Sequence, residues 1–262
     1  MLAAEFRLLG EDDPPPVRVL RPAAGSAFLL AADHAGRAIP RRLGNLGLPE
    51  GELQRHIAWD IGIAGVTERL SQALDATSVL QAYSRLVIDC NRRPEWGSSI
   101  PVVSETTTIP GNKGLGEEER EARRREIFLP YHGAIAELLG ARAHRHSVLV
   151  AMHSFTPVFK GVARAVEVGV LYNPNARDTR LPHIMLDLLR GEGDLAVGDN
   201  QPYAITGNSD YTVPTHGEER GLSHVELEIR QDLIDDDRGQ ALWAARLVRL
   251  LREAERRLIA AA

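Results

Sequence analysis

Three short apolar runs indicate the fold, and each ends in polar residues: AFLLAADHAG (residues 27–36), SRLVIDCNRRP (84–94) and HSVLVAMHSF (146–155). A continuous run of Val, Leu and Ile is typical of a parallel strand that is buried on both faces. Ligands of α/β proteins bind beyond the carboxyl ends of such strands. The runs therefore predict three strands that bring two histidines and one arginine to the same edge of a sheet: His34, Arg92 and His153.

Helical patterns lie between the predicted strands. Apolar residues recur at helical spacing over residues 50–74, 116–143 and 238–261. Strands that alternate with helices predict a single α/β domain of three α/β/α layers around a mostly parallel mixed sheet. We assign this domain to residues 22–262, and residues 1–21, which contain three consecutive prolines, to an extended arm.

Two further segments predict loops rather than core elements. Residues 94–116 and 195–221 are long polar stretches, and such lengths in a compact domain are typical of lids and binding loops. The second stretch contains Tyr203 and His216, which we take as candidate substrate contacts.

The composition excludes several classes of protein. A formal net charge of −5 gives neither a broad basic surface for nucleic acid nor a polybasic membrane anchor. No apolar run approaches the ~18 residues of a membrane-spanning helix. The single cysteine, Cys90, rules out an internal disulfide framework and is expected in the core. We therefore expect a cytoplasmic monomer or homodimer that acts on a small molecule.

Histidine and carboxylate side chains at the strand ends predict a metal centre. Catalytic zinc takes three protein ligands, commonly imidazole nitrogens and carboxylate oxygens, and leaves one position open. His34 and His153 supply two ligands. Asp60, placed on the first predicted helix by the WDIG segment, is the preferred third, and His56 and Asp33 are the alternatives. Zinc is the expected ion, and manganese and cobalt take similar ligands.

A charged strand supplies the candidate base. In HVELEIRQD (224–232) the alternation places His224, Glu226, Glu228 and Arg230 on one face. A glutamate beside a bound metal can act as general base. We choose Glu228, with Arg230 as an electrostatic neighbour.

Arginine provides a candidate site for a substrate carboxylate. Its planar fork suits bidentate capture of that group. Arg92, with Asn91 beside it, is the first candidate, and Arg85 is the second. Ser154 lacks the Gly-x-Ser-x-Gly elbow of a serine hydrolase, so it is a candidate substrate contact rather than a nucleophile.

Eight segments, taken together and in this order, resemble the N-formylglutamate amidohydrolase family: ADHAGRAIP, HIAWDIG, SRLVIDCNRRP, IPGN, RREIFLPYHGAI, MHSFTP, NQPY and VELEIRQDL. They span roughly residues 26 to 235. The resemblance implies a zinc-dependent, exopeptidase-like fold of the phosphorylase/hydrolase type. It also implies hydrolysis of the C–N amide of an N-acyl amino acid, which in the deformylase case releases formate and glutamate during histidine breakdown.

The resemblance also carries roles to individual residues. His34 matches the histidine of the first family motif, although this chain has His-Ala-Gly where many members have His-Ser-Gly. His153 matches the later His-Ser pair, and Glu228 matches the glutamate before Ile-Arg. Arg37 replaces the glutamate of the His-x-x-Glu ligand pair of related zinc carboxypeptidases, so the third ligand must come from elsewhere.

Asn91 and Arg92 resemble the Asn-Arg pair with which those peptidases hold a terminal carboxylate. The expected function is metal-dependent hydrolysis of an N-formyl amino acid such as N-formylglutamate. The alternatives are an amidase or carboxypeptidase that acts on another N-acyl amino acid or short peptide, and a non-catalytic binding protein on the same fold.

Overall fold

The computed structural model describes residues 6–205 and 209–260. The strands within these ranges are β1 (Val17–Leu20), β2 (Phe28–Ala32), β3 (Thr77–Gln81), β4 (Val103–Ser104), β5 (Thr107–Thr108), β6 (Val148–Phe155), β7 (Val158–Phe159), β8 (Val162–Ala163), β9 (Val168–Leu171), β10 (Val197–Asp199) and β11 (Ser223–Arg230). Seven of them form one sheet in the order β1-β3-β2-β6-β11-β9-β10. The pairs β4–β5 and β7–β8 form two separate ribbons.

The central strands of the sheet run parallel. β3, β2, β6 and β11 pair in parallel, and so do β9 and β10. β1 pairs antiparallel with β3, and β9 pairs antiparallel with β11. The predicted mostly parallel mixed sheet is therefore confirmed.

Helices cover both faces of the sheet. They are α1 (Glu50–Leu53), α2 (Ile63–Leu74), α3 (Glu117–Arg123), α4 (Leu129–Gly140), α5 (Arg180–Gly191) and α6 (Asp237–Ala260). Phe28 and Leu30 of β2 pack in the same core cluster as α2, α5 and α6, whereas Leu29 and Ala31 pack with α3 and α4. All of β2 is buried because it has a helical layer on each side, which explains its continuous apolar sequence. The predicted three layers are confirmed.

The single helix predicted over residues 50–74 is wrong. The structure has α1 and α2 with residues 54–62 between them, so Asp60 lies in the loop before α2. Gly62 adopts a left-handed conformation with φ of 80°, which an α-helix cannot continue through. The backbone N–H of Asp60 donates to the carbonyl oxygen of His34 at 2.9 Å. This bond ties the loop to the end of β2.

The apolar run SRLVIDC is also not a strand. β3 ends at Gln81, and the following residues form turns that are closed by backbone bonds such as Val87 N–H to Ser84 O at 2.9 Å. Leu86, Val87 and Ile88 are apolar because they are buried in the core on the α3 and α4 side. Cys90 is a buried core residue, as predicted.

The helical segment predicted over residues 116–143 is interrupted in the middle. α3 leads into a π-helical segment, Arg124–Phe128, before α4 begins at Leu129. Pro130 lacks a backbone N–H, and its ring collides with the carbonyl oxygen four residues earlier in a regular helix. Wider turns immediately before a proline relieve that collision.

Both predicted loops contain ordered elements. Residues 94–116 include the β4–β5 ribbon and a 3-10 turn, Pro110–Asn112, and residues 195–221 include β10 and a π-helical segment, Val213–Glu218. Further 3-10 turns lie at Arg41–Leu43 and Gln231–Leu233. The last residues of the predicted arm form β1 at the sheet edge, because their backbone pairs with β3. Within the part of the chain that the structure describes, no helix has the length and hydrophobicity needed to cross a bilayer.

We expect Gly62→Ala to lower the free energy of unfolding by ~2–3 kcal/mol, because a side chain is strained at this φ value. A Cβ atom at this position would also lie 2.0 Å from the carbonyl oxygen of Ile234. Urea denaturation measures the change. The matched control is Gly51→Ala in α1, where a Cβ meets open space and the stability should stay within ~1 kcal/mol of the wild type. Equal stability of the two variants would contradict this account of the loop.

Candidate active site

A cavity of about 450 Å³ opens where β2, β6 and β11 reach their carboxyl ends. The wall of the cavity is rich in charged and titratable side chains: His34, His56, Asp60, Arg85, Asp89, Arg92, Glu105, His153, Asp210, Glu226 and Glu228. The carboxyl edge of the parallel strands is the usual place for a ligand in an α/β fold. This is the edge that the strand-end residues predict.

Two imidazoles face one carboxylate at the back of this cavity. The Nδ1 atoms of His34 and His153 lie 3.5 Å and 3.0 Å from Oδ2 of Asp60. One ligand atom from each residue lies within 4.8 Å of the others, and all three residues are buried. Two nitrogens and one oxygen at this spacing match the protein ligands of a catalytic metal site.

The outer nitrogens of the same imidazoles face further carboxylates. Nε2 of His34 contacts Oδ1 of Asp89 at 2.7 Å, and Nε2 of His153 lies 3.2 Å from Oδ2 of Asp33. A carboxylate behind a ligating histidine fixes the tautomer and the ring orientation. The hydrogen bond to Asp89 directs Nδ1 of His34 towards Asp60, and Asp33 lies beside Nε2 of His153.

The charge of this cluster fits a cation. Asp33, Asp60 and Asp89 are almost fully buried, and Arg85 lies 3.6 Å from Asp60 and 2.6 Å from Asp89. Among the described residues, the buried Nδ1 atom of His34 has no hydrogen-bond partner. Uncompensated buried charge costs several kcal/mol. A divalent cation between the imidazoles and Asp60 would offset the negative charge and satisfy this nitrogen, so the residues present fit a metal ion.

Charged neighbours shift the pKa values of Asp60 and His153 in opposite directions. Burial alone would raise the pKa of Asp60, but the charge of His34 and the hydrogen bond from His153 lower it. Burial alone would lower the pKa of His153, but the charge of Glu226 and hydrogen bonds to carboxylates raise it well above its usual range. Each group therefore depends on its neighbours for its charge.

The two alternative third ligands lie outside this set of three. His56 lines the cavity, and its Nε2 atom lies 3.6 Å from Oε2 of Glu105. Asp33 accepts a hydrogen bond from the Thr212 hydroxyl at 2.7 Å and stands behind His153. Asp60 is the carboxylate that lies beside both imidazoles.

Two glutamates of β11 point into the cavity from the same face of the strand. Glu228 and Glu226 are buried, and one carboxylate oxygen of each has no hydrogen-bond partner in the part of the chain that the structure describes. Burial raises the pKa of Glu228 to about 7 and that of Glu226 well above its usual range. Sequence reasoning selected Glu228 alone, although the same two-residue alternation marks Glu226. Oε2 of Glu226 lies 3.9 Å from Nε2 of His153.

The Asn-Arg pair contacts the loop that follows β10. The side-chain oxygen of Asn91 accepts the backbone N–H groups of Tyr211 and Thr212 at 2.9 and 3.0 Å. Its amide nitrogen donates to Oδ1 of Asp210 at 3.1 Å, and Nη1 of Arg92 lies 3.4 Å from the same oxygen. Both residues line the cavity, and Asp210 is a functional candidate that sequence reasoning missed.

Ser154 and Tyr203 also line the cavity. The Ser154 hydroxyl donates to the carbonyl oxygen of Ile61 at 2.8 Å, and its backbone N–H donates to Oδ2 of Asp60 at 3.1 Å. Ser154 therefore holds the Asp60 loop. The Tyr203 hydroxyl accepts a hydrogen bond from Arg164 at 2.8 Å, which fixes the half-exposed ring at the cavity wall.

Two predicted site residues, Arg230 and His216, do not line the cavity. The Arg230 guanidinium pairs with Asp232 at 2.8 Å and lies 3.7 Å from Glu167, because β11 ends here and the long side chain reaches the segment before β9. His216 is buried in the π-helical segment 213–218. The structure therefore does not place these two residues where a substrate in the cavity would touch them.

His216 instead belongs to a buried pair of histidines. Its Nε2 atom lies 3.0 Å from Nδ1 of His132, and Nε2 of His132 lies 2.8 Å from the carbonyl oxygen of Cys90. A carbonyl oxygen only accepts, so His132 donates from Nε2 and accepts at Nδ1 from His216. Both neutral rings thereby join α4 and the π-helical segment to the chain beside Asn91.

Three comparisons relate the chain to known proteins. A sequence model of N-formylglutamate amidohydrolase matches residues 26–235. The crystal structure of a gene product from Agrobacterium tumefaciens has 40% sequence identity and a TM-score of 0.92, covering 96% of this chain and 99% of that chain. The crystal structure of N-formylglutamate amidohydrolase from Ralstonia eutropha has 18% sequence identity and a TM-score of 0.67, and the match covers 92% of this chain and 98% of that chain. This likeness shows a shared fold. Among curated proteins, none matches this chain.

The histidine pair predicts that acid destabilises the fold. Burial lowers the pKa of His132 to about 4 and that of His216 to about 3. Below their usual pKa of 6.5, the unfolded chain binds protons that the folded chain does not, so the free energy of unfolding falls as the pH falls from 6.5 towards 4. Between pH 7 and pH 5 each histidine lowers the free energy of unfolding by up to ~2 kcal/mol.

Urea denaturation of His216→Gln tests this, because a glutamine amide still donates to His132 but does not titrate. Between pH 7 and pH 5 the free energy of unfolding should fall in both proteins, and we expect the fall to be smaller by ~1–2 kcal/mol in the variant. Losses at the other titratable groups are common to the wild type and the variant and cancel. His144→Gln, at an exposed position, is the control and should keep the wild-type pH dependence. Equal losses in all three proteins would contradict the prediction.

Proposed function

Since this chain belongs to the N-formylglutamate amidohydrolase family, we propose that it hydrolyses an N-formyl amino acid such as N-formylglutamate in a metal-dependent reaction. Its family membership makes the chain a hydrolase of carbon–nitrogen bonds other than peptide bonds. The metal-dependent chemistry rests on the two buried imidazoles that turn their Nδ1 atoms towards Asp60, beside a glutamate with an unpartnered oxygen.

His34, Asp60 and His153 would hold the ion. Zn²⁺ is the ion that we propose, because two imidazoles and one carboxylate form a common catalytic zinc set, and Mn²⁺ and Co²⁺ accept the same donors. The chemistry that such an ion supplies is Lewis-acid polarisation of a carbonyl group and acidification of water. With the ion bound, Asp89 would accept the Nε2–H of His34 and Asp33 would stand beside Nε2 of His153, so that the Nδ1 atoms face the ion.

Glu228 is the proposed general base. A pKa of about 7 lets this carboxyl group accept and release a proton near neutral pH. Glu228 takes a proton from the attacking water, the oxygen bonds to the formyl carbon, and the C–N bond breaks. The same proton then passes to the leaving nitrogen, which gives formic acid and a free amine. The acid then releases its proton to the amine or to water and becomes formate.

The cavity suits a small substrate. A volume of about 450 Å³ lies within the usual range of ~300–1,000 Å³ for small-molecule sites. We propose that Arg92 or Arg85 receives a substrate carboxylate and that Tyr203 closes one side of the site.

We expect Glu228→Gln to lower kcat by ~10²–10⁴-fold, because an amide cannot take the proton from water. Metal content should stay unchanged. Formate release from N-formyl-L-glutamate and elemental analysis of the purified protein measure the two quantities. Glu226→Gln, on the same face of the same strand, is the matched control and should lower kcat by a smaller factor. Loss of metal from Glu228→Gln would make Glu228 a ligand, and a larger loss of turnover in Glu226→Gln would move the base to Glu226.

Asp60→Asn tests the third ligand. Removal of a direct ligand should weaken metal binding by more than ~100-fold, whereas loss of a carboxylate behind a ligand costs ~10–100-fold. Competition with a chelator measures both Asp60→Asn and the matched variant Asp33→Asn. Weaker metal binding by Asp33→Asn than by Asp60→Asn would contradict the assignment and make Asp33 the ligand.

A further inference from the structure

A carboxylate of the protein itself sits between Asn91 and Arg92. Oδ1 of Asp210 accepts a hydrogen bond from the Asn91 amide at 3.1 Å and lies 3.4 Å from Nη1 of Arg92. All three residues line the cavity. The amide and the guanidinium together therefore already bind one carboxylate, and that carboxylate belongs to Asp210.

The Asn91 side-chain oxygen and Nη1 of Arg92 also bind the backbone. The Asn91 side-chain oxygen accepts the N–H groups of Tyr211 and Thr212. Nη1 of Arg92 also donates to the carbonyl oxygens of Asn91 and Ser209. The loop that carries Asp210 is thus fixed to the pair by its backbone, whether or not the Asp210 carboxylate stays in place.

The other cavity arginine is occupied as well. The Arg85 guanidinium binds Asp89 through Nε at 3.1 Å and Nη2 at 2.6 Å, and it lies 3.6 Å from Asp60. Its positive charge therefore compensates the carboxylates of Asp89 and Asp60. A substrate carboxylate that enters this cavity therefore meets no arginine without an acidic partner among the described lining residues.

We propose that Asp210 is a specificity-determining residue whose carboxylate competes with that of the substrate for Asn91 and Arg92. This competition weakens the preference of the site for an amino acid with a free carboxylate over its amide. The inference rests on the proposed function, because it concerns the substrate of the same cavity.

The Asp210 carboxylate is held loosely enough to compete rather than to block. It meets Arg92 through one oxygen at 3.4 Å, not through the two short parallel bonds of a strong arginine–carboxylate pair. Its other oxygen accepts the hydroxyl of Ser209. Burial raises the pKa of Asp210, so its charge is poorly compensated where it lies. An incoming carboxylate with better geometry can displace it.

Binding of the released amino acid tests the proposal without turnover. Isothermal titration calorimetry compares L-glutamate with its two amides, L-glutamine and L-isoglutamine, on the wild type and on Asp210→Asn. We expect the variant to bind L-glutamate about tenfold more tightly, which is ~1.4 kcal/mol. At least one amide should change by less than ~2-fold, and that amide identifies which carboxylate lies at Arg92.

Glu105→Gln is the matched control. Glu105 also lines the cavity, but it pairs with Arg55 instead of Arg92, so the variant removes one negative charge from another part of the wall. The ratio of glutamate to amide affinity should stay at the wild-type value. An unchanged or lower ratio in Asp210→Asn, or an equal rise in Glu105→Gln, would overturn the proposal.

A measurement on the wild type applies even when Asp210→Asn does not fold. A preference for L-glutamate over both amides below about tenfold supports competition by Asp210, and a larger preference overturns it. Hydrolysis of N-formyl-L-glutamate is followed separately. If Asp210→Asn binds L-glutamate more tightly as expected but the protein does not hydrolyse N-formyl-L-glutamate, only the proposed function is contradicted. If the protein hydrolyses this substrate but Asp210→Asn does not bind L-glutamate more tightly, only this inference is contradicted.

Discussion

The contact on which the site depends is the one between two imidazoles and the carboxylate of Asp60. His34 follows β2 and His153 lies in β6, and these strands are parallel neighbours in the sheet. Their side chains therefore emerge at the same edge, while Asp60 arrives from a loop that is bonded to His34 through its backbone. Asp33, Asp89 and Glu226 lie close to the two imidazoles, so a positive ion would complement the charge of the cluster.

The residues on regular strands could be predicted from the sequence. His34, His153 and Glu228 stand at fixed positions relative to buried runs, and strand geometry alone brings them to one edge. Asp60 was chosen for its chemistry, but its element was predicted wrongly, because helical spacing in the sequence continues through Gly62 although the backbone does not. The apolar composition of SRLVIDC predicts a strand. Its residues are apolar because they are buried in the core, and not because they pair with another strand.

Long-range contacts account for the remaining differences. Asp210 lies 119 residues from Asn91 in the chain, so no local pattern indicates that they touch. His216 is a polar residue of a long loop, which made it a plausible substrate contact, but its partner is His132 on α4. Arg230 keeps the strand alternation, yet its length lets the charged end leave the cavity face. Such cases depend on which elements pack together, and the periodicity of one segment does not carry that information.

Cys90 lies between the residue that orients His34 and the residue that holds the Asp210 loop. Its thiol is fully buried and its sulfur accepts a hydrogen bond from the Gln81 amide at 3.2 Å. Burial raises the pKa of this thiol well above the usual range. Only an exposed thiolate reacts rapidly with thiol reagents. The rate at which this single cysteine is labelled is therefore a native reporter of transient local opening in the segment that carries both Asp89 and Asn91.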